Sequence, residues 1–554
     1  MERISKKKLI AASLGHCVHV AGILKFLKLA EDHGYQTQFL GPAFSIEKLT
    51  ESIKFHNPDV IALSYRLTPD ALQKLLTLLK QEIERNRWQN KKFLFGGTPP
   101  TAEVARKSGI FESVFGGQES LDEIVSVLKG HIKEAQPAEI PPQNLKHRID
   151  FKAPFPLLRH HFGQPDMEQT IEGAKQIALS QAIDVISLGP DQNAQESFFR
   201  PNEMRREQDG AGGVPLRKPE DLAAIYEASR CGNFPLVRCY AGTRDLVKWA
   251  EMTHETINIA WGAVPLCWYN KLDGRSERSL LESIKENQQA MRWYSQHDIP
   301  LEVNESHHWS LRDAPDTVAV AAAFLAAHNA KRMGSKCYVA QYMFNTPAAT
   351  SPPMDLAKMM AKIELIEPLH DKNFFTIRQT RTGLASLSYD ADIAKGQLSV
   401  STFYQMILKP KIVHVVGFCE GDHAATSEEV IASAKIVQGV INQFSSEHFP
   451  FVKSSVVRER KKELVEEAKF LLAAIKEISA GKVEDPWSDP ATIAQAIKIG
   501  LLDAPHLCGN PQAAGRIFTQ IRNGACVAVD LESGKILKEK ERISRILETK
   551  CALS

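Results

Sequence analysis

The chain has 554 residues, of which 43% are hydrophobic and 24% charged, with a formal net charge of +2. That length exceeds one ordinary core, so two or more domains are expected, and the composition is that of a soluble globular protein. The near-neutral balance gives no electrostatic case for nucleic acid or an acidic membrane. Nine cysteines without a C-x-x-C pair argue against zinc, an iron–sulfur cluster or a disulfide framework, and fit reduced thiols in a cytoplasmic protein.

The basic start around Lys6-Lys7-Lys8 leads into an apolar stretch soon interrupted by Gly15, His16 and His19, so it reads as the approach to a first strand and not as a secretory signal. No run reaches the roughly 20 apolar residues of a membrane span. Cys551-Ala-Leu-Ser554 formally fits a prenylation box, for which chance is the simpler reading. Residues 8–130 then alternate strands (8–13, 36–40, 60–64, 93–95, 113–115) with amphipathic helices (21–33, 46–56, 69–87, 120–128). This alternation predicts an α/β domain over 1–130, a doubly wound (flavodoxin-like) parallel sheet that takes its ligand at the carboxyl ends of the strands. Residues 131–150 are proline-rich and polar, and are expected to be a linker.

From 151 to 450 short apolar runs recur between helical patterns, at 183–188, 236–239, 257–261, 301–304, 337–342, 374–378 and 412–418. Their number and spacing predict a TIM (β/α)8 barrel. Residues 451–554 are expected to form a C-terminal helix (458–479) and a small α/β segment.

The sharpest pattern is Gly15-His16-Cys17-Val18-His19-Val20-Ala21-Gly22, between the first strand and the first helix. A histidine there projects from the strand's carboxyl edge, and Gly22 lets the helix begin close against a ligand. Ser64 ends the third strand, and Gly96-Gly97 and Gly116-Gly117 end the last two, where missing side chains leave room for a bulky group.

Cys17-Val-His19-Val-Ala-Gly22, with Ser64 and the two glycine pairs, resembles the cobalamin-binding domain of adenosylcobalamin-dependent carbon-skeleton mutases and methionine synthase, whose signature is Asp-x-His-x-x-Gly. The resemblance implies that His19 is the lower ligand of cobalt. It also implies that Cys17, Gly22, Ser64, Gly96, Gly97, Gly116 and Gly117 line the cofactor. One departure stands out: the family's acid is Cys17 here, so the usual carboxylate that fixes the imidazole tautomer is missing.

Residues 151–450 and the C-terminal segment look like the barrel subunit of glutamate mutase (methylaspartate mutase), through Pro235-Leu-Val-Arg238-Cys-Tyr-Ala-Gly242, Trp268-Tyr-Asn270 and the runs at 299–305, 321–327 and 491–505. The resemblance implies that Arg238 and Arg159 grip substrate carboxylates, with Arg200 the nearest third candidate. Tyr269 would contact substrate and Glu420 the cofactor's ribose, while the neighbouring lysine of the family falls on Val416. The family's acid for the substrate ammonium has no counterpart near Ala260-Trp261-Gly262, and the histidine after the gripping arginine is Cys239. Glutamate is therefore not the expected substrate, and Trp261, Trp268 and Tyr269 suggest a bulkier or less polar acid. His160-His161, His307-His308 and the Glu420-Gly-Asp-His423 run read as loop residues rather than metal ligands.

The expected activity is that of an isomerase: an adenosylcobalamin-dependent radical mutase of a small carboxylic or amino acid other than glutamate, cytoplasmic and homodimeric, with no nucleic-acid or membrane partner. Two alternatives stay open, a corrinoid methyltransferase or methyl carrier, and a non-catalytic cobalamin sensor or escort.

Overall fold

The structure, a computed structural model, describes residues 7–117, 119, 121–130, 140–240, 242–444 and 454–553. It divides into two compact units, residues 1–139 and 140–554.

The first unit runs β1 (Lys8–Leu14), α1 (Ala21–Asp32), β2 (Gln36–Phe44), α2 (Ile46–His56), β3 (Val60–Tyr65), α3 (Pro69–Arg85), β4 (Lys92–Gly97), α4 (Pro99–Ser108), β5 (Ser113–Phe115) and α5 (Leu121–Gly130). The strands form one sheet in the order β2-β1-β3-β4-β5, and every pairing is parallel. β3 is buried along its whole length, as a central strand covered on both faces must be. The helices cover it through single apolar stripes, such as Leu72, Leu76, Leu79 and Ile83 of α3 at helical spacing. Gly96 and Gly97, expected just beyond the fourth strand, are its last two residues and pair with Ser64 and Tyr65.

The second unit opens with α6 (Leu145–Lys152), inside the segment expected to be linker; residues 131–139 lie outside the described residues. The helix forms because Leu145 and Ile149, one turn apart, have a core to enter: they pack on Leu157, Val185, Leu236 and Ile412. Then follow β6 (Leu157–Phe162), α7 (Met167–Ser180), β7 (Val185–Leu188), α8 (Gln192–Ser197), α9 (Pro219–Ala228), β8 (Leu236–Cys239), α10 (Leu246–Ile257), β9 (Gly262–Pro265), α11 (Leu280–Gln296), β10 (Leu301–Asn304), α12 (Ser306–Ser310) and α13 (Asp316–Arg332). β11 (Cys337–Phe344), α14 (Pro352–Ile366), β12 (Phe375–Thr382), α15 (Ala391–Met406), β13 (Ile412–Val415) and α16 (Ser427–Gln443) complete the round. The ladder runs β9-β10-β11-β12-β13-β6-β7-β8, so β13 pairs with β6 and the parallel barrel is closed except at the β8–β9 seam.

The strand expected at 257–261 is instead Gly262–Pro265. Its apolar run belongs partly to α10, which ends at Ile257 because Asn258 takes a left-handed conformation with φ 43°. Beyond the barrel lie α17 (Ser455–Glu477), α18 (Pro490–Ile499), the antiparallel hairpin β14 (Thr519–Arg522) and β15 (Ala525–Ala528), and α19 (Glu539–Leu553). Asn523-Gly524 turns the hairpin with both residues at positive φ, the geometry Asn-Gly tolerates best. α13 is buried nearly all round, which its Ala- and Val-rich sequence permits, and α17 and α14 pack on it. Among the described residues no helix is long and apolar enough to cross a membrane.

Candidate functional site

In the first unit, β1 delivers Gly15–Val20 to the sheet's carboxyl edge. His19 is exposed and Cys17 is fully buried beneath it, with Cys17 Sγ 3.8 Å from His19 Nδ1. The thiol thus occupies the position from which a carboxylate would orient the ring, leaving Nε2 directed elsewhere. Next to this loop, Ser13 and Ser64 are register partners on β1 and β3, and both hydroxyls are buried without a hydrogen-bond partner. Buried hydroxyls are seldom left orphaned, so each is a place where a ligand atom fits.

The glycines divide into three kinds. A Cβ on Gly22 or Gly96 would meet nothing within 4 Å, so these two border open space. Gly97 is needed by the chain itself, since a Cβ there would come 2.8 Å from the Tyr65 carbonyl oxygen and collide with Thr101. Gly116 and Gly117 donate their amide N–H groups to the Glu119 carboxylate at 2.7 and 2.8 Å, so this pair already cradles an anion of its own chain.

The barrel interior is layered with the two-residue period of its strands. Leu157, Val185, Leu236 and Ile412 form an apolar plug with Trp261. Two residues on stand Arg159, Ser187 and Arg238, in one network with Glu302, Gln341 and Gln379. Two further on, His161, Tyr240, Asn304, Met343 and Arg381 open onto a cavity of about 360 Å³, which Tyr269, Arg275, His307 and His308 also line. That volume lies in the range of small-molecule sites, roughly 300–1,000 Å³.

Arg159 and Arg238 are 2% and 0% exposed and share Glu302, whose Oε2 accepts from Arg238 Nη1 at 3.0 Å, Trp261 Nε1 at 2.7 Å and Arg159 Nη1 at 3.4 Å. Burial pushes the Glu302 carboxyl up, but Arg238 and Arg159 outweigh it and hold the group below its ordinary value. The two arginines differ in what remains free. Arg159 also donates to Gln379 Oε1 at 2.7 Å and lies 2.8 Å from His161 Nε2, leaving only Nε unpartnered. Arg238 Nε and Nη2 are both buried without partners, as is Gln341 Nε2.

The histidines are on regular elements, not loops: His160 and His161 on β6, His307 and His308 on α12. Burial, with the arginines around it, pushes His307 down to about 3 and His161 well below its ordinary value; burial and His307 do the same to His308. All three are neutral at pH 7, so the chamber's charge comes from its arginines. Tyr269 has φ 69°, its hydroxyl lies 3.3 Å from His308 Nε2, and Arg275 stacks over its ring at 4.7 Å.

Several expectations are corrected. Arg200 pairs with Asp245 and Glu203 and does not line the cavity; Arg275 and Arg381 do. A carboxylate does reach Trp261, from β10, but this group, Glu302, is already shared by Arg238 and Arg159. Trp261 and Trp268 are fully buried and away from the cavity surface, so they do not make it suited to a less polar acid. Cys239 is buried in the core on the strand's outer face, its thiol pushed up to about 12. Glu420 accepts from Gly417 N–H at 2.7 Å and lies 3.9 Å from His160 Nε2, while Val416 is buried. Cys419, His423 and Glu429 form the one cluster with metal-ligand chemistry found among the described residues, where the loop after β13 meets the first turn of α16.

Sequence reading missed Glu302, Arg275, Arg381 and His161. Period two was the available signal: stepping two residues from Arg159 or Gln379 along a strand gives His161 and Arg381.

Fold and site together define an α/β protein of two parts, one a parallel five-stranded sheet with a ligand edge, the other a parallel barrel holding a cationic chamber. Residues 7–126 match the B12 binding domain, which supports cobalamin as the cofactor. No curated protein matches the chain. Among solved structures it is similar to a cobalamin-binding protein from Desulfitobacterium hafniense DCB-2, at 24% identity and TM-score 0.20, over 23% of this chain and 59% of that one. It is also similar to an enzyme targeting pectin rhamnogalacturonan II (8% identity, TM-score 0.31, over 89% of this chain and 56% of that one). A third is the cobalamin-dependent S-adenosylmethionine radical enzyme OxsB, at 12% identity and TM-score 0.18, over 88% of this chain and 70% of that one. The chain thus spans under two thirds of the length of the first two.

Proposed function

We propose that the chain is an adenosylcobalamin-dependent mutase that rearranges the carbon skeleton of a small carboxylic acid other than glutamate. The observation that carries the reading is Arg238, fully buried at the chamber floor with Nε and Nη2 unpartnered. Arg238 borders the cavity, and a guanidinium with N–H groups left unpartnered suits a carboxylate, because its fork can meet both oxygens at once. Arg159 serves less as a second grip than as a brace: with Gln379 and Glu302 it fixes the charged layer on which substrate rests.

In the first unit His19 offers Nε2 as a metal ligand, and Ser13 and Ser64 offer free hydroxyls beside the open space at Gly22 and Gly96. Adenosylcobalamin, when bound, supplies hydrogen-atom abstraction through homolysis of its cobalt–carbon bond. The chain's own work is then to hold the substrate and keep water out. Tyr269, held protonated by burial beside Tyr240, would donate a hydrogen bond from its hydroxyl to a substrate oxygen. The neutral histidines add donors and acceptors without charge, and Glu420, braced by Gly417, is offered to ribose hydroxyls.

The test is reconstitution of the full chain with adenosylcobalamin, followed by electron paramagnetic resonance and hydrogen exchange with candidate acids. The expected result is an organic radical signal that depends on substrate. Methyl turnover from methylcobalamin would instead identify a methyltransferase or carrier. Tight binding with no exchange from any acid would identify a sensor or escort, and a protein that stays colourless would overturn cobalamin binding altogether.

A further inference from the structure

Among the described residues, four arginines but one carboxylate line the barrel chamber: Arg159, Arg238, Arg275 and Arg381 against Glu302. Arg159 and Arg238 are buried, Arg381 is half-buried and Arg275 is exposed, and guanidiniums that outnumber the lining carboxylate favour an anion. Glu302 does not supply that anion, since two guanidinium groups already share it. Arg275 has the Asp273 carboxylate at 3.8 Å, and Arg312 draws on the same group at 3.3 Å. Arg381, on β12, has no carboxylate within 4.0 Å among the described residues; its Nε donates to the Thr382 carbonyl oxygen at 3.4 Å. Guanidinium capacity is therefore left at two levels: Arg238 Nε and Nη2 on the floor, and one layer above Arg381, on which Glu420 acts only from beyond ion-pair distance.

An ammonium group would be repelled at either level. Among the described residues the one lining carboxylate sits between two guanidiniums, and His161, His307 and His308 are held neutral, so none of them supplies a negative site. Resting on the mutase reading above and sharpening it, we infer that the substrate is a small dicarboxylate that carries no ammonium group, one carboxylate on Arg238 and the other on Arg381. Arg275, stacked on Tyr269, closes the rim beside the second carboxylate.

The experiment uses the full chain and three probes that differ by one feature each. Glutarate carries two carboxylates, L-glutamate adds an ammonium, and pentanoate removes one carboxylate. Calorimetric titration should find glutarate at least about tenfold tighter than either of the others, the scale of a single charge-assisted hydrogen bond. Arg381→Met, which breaks no ion pair, should weaken glutarate about tenfold and leave pentanoate unchanged, and the unchanged pentanoate shows the variant is folded. Arg238→Lys should weaken both. Equal or tighter binding of L-glutamate, or pentanoate matching glutarate, would overturn the inference. Because these are equilibrium measurements, they stand apart from the mutase reading: glutarate selectivity with no radical signal under any diacid would sink that reading and leave this one intact.

Discussion

At the carboxyl edge of the N-terminal sheet, space is left by side chains that are absent or exposed, whereas at the same edge of the barrel it is walled by charge. His19 stands in solvent, backed by one thiol and two orphaned serine hydroxyls, and Gly22 and Gly96 border empty room. In the barrel, by contrast, Arg159, Arg238 and Glu302 are all buried and tied into one network. The first arrangement suits a large cofactor that brings its own chemistry and needs few contacts. The second suits a small ion that must be matched charge for charge. Changes in the first should therefore cost binding and leave folding alone, and changes in the second should cost folding as well.

The largest effect is expected at Glu302. Glu302→Gln leaves two buried guanidiniums without their counter-charge and should destabilise the barrel by about 3–5 kcal/mol in chemical denaturation. A loss under about 1 kcal/mol would mean the network is not the support described. Next comes His19→Ala, which should weaken cobalamin by at least about 100-fold and abolish histidine ligation in the absorption spectrum, with the denaturation midpoint unmoved; unchanged binding would refute the ligand role.

The comparison also sets a pH dependence. His160, His161, His307, His308 and His414 all have values lowered by burial, His307 to about 3, and all belong to the barrel. Unfolding exposes each to an ordinary value of about 6.5. Below that value the unfolded chain binds protons that the folded chain refuses. For His307 this stability is fully present above about pH 6.5 and is lost as pH falls toward about 3, by at most roughly 1.4 kcal/mol per pH unit, and the other four act in the same direction. Denaturation at pH 7.5 and 5.5 measures this, and His307→Asn should flatten the slope. The smallest effect is expected at Cys17: its thiol is a weak hydrogen-bond partner, so Cys17→Ala should weaken cobalamin by less than about tenfold, and Cys17→Asp should strengthen it. A loss as large as that of His19→Ala would show that Cys17 does more than orient the ring.

The legible parts were those with local causes. The His19 loop could be read because its residues are contiguous and lie between a strand and a helix, and β8 and β10 fell where their apolar runs predict. α6 could not be read, since Leu145 and Ile149 form too short a stripe to announce a helix without the barrel floor they plug. Nor could the partnership of Arg159 with Glu302, which are 143 residues apart.

By itself the sequence determined strand–helix alternation, the histidine-bearing loop after β1 and the presence of arginines at strand ends, because periodicity and turn chemistry act over a few residues. Only the tertiary structure decided which charges meet: that Glu302 offsets Arg159 and Arg238, that Arg381 rather than Arg200 lines the chamber, and that the packing around Gly97 leaves no room for a side chain. Those facts depend on closing the strands into a barrel or sheet, which brings distant side chains within a few ångströms, where burial makes each charge and each missing methyl count.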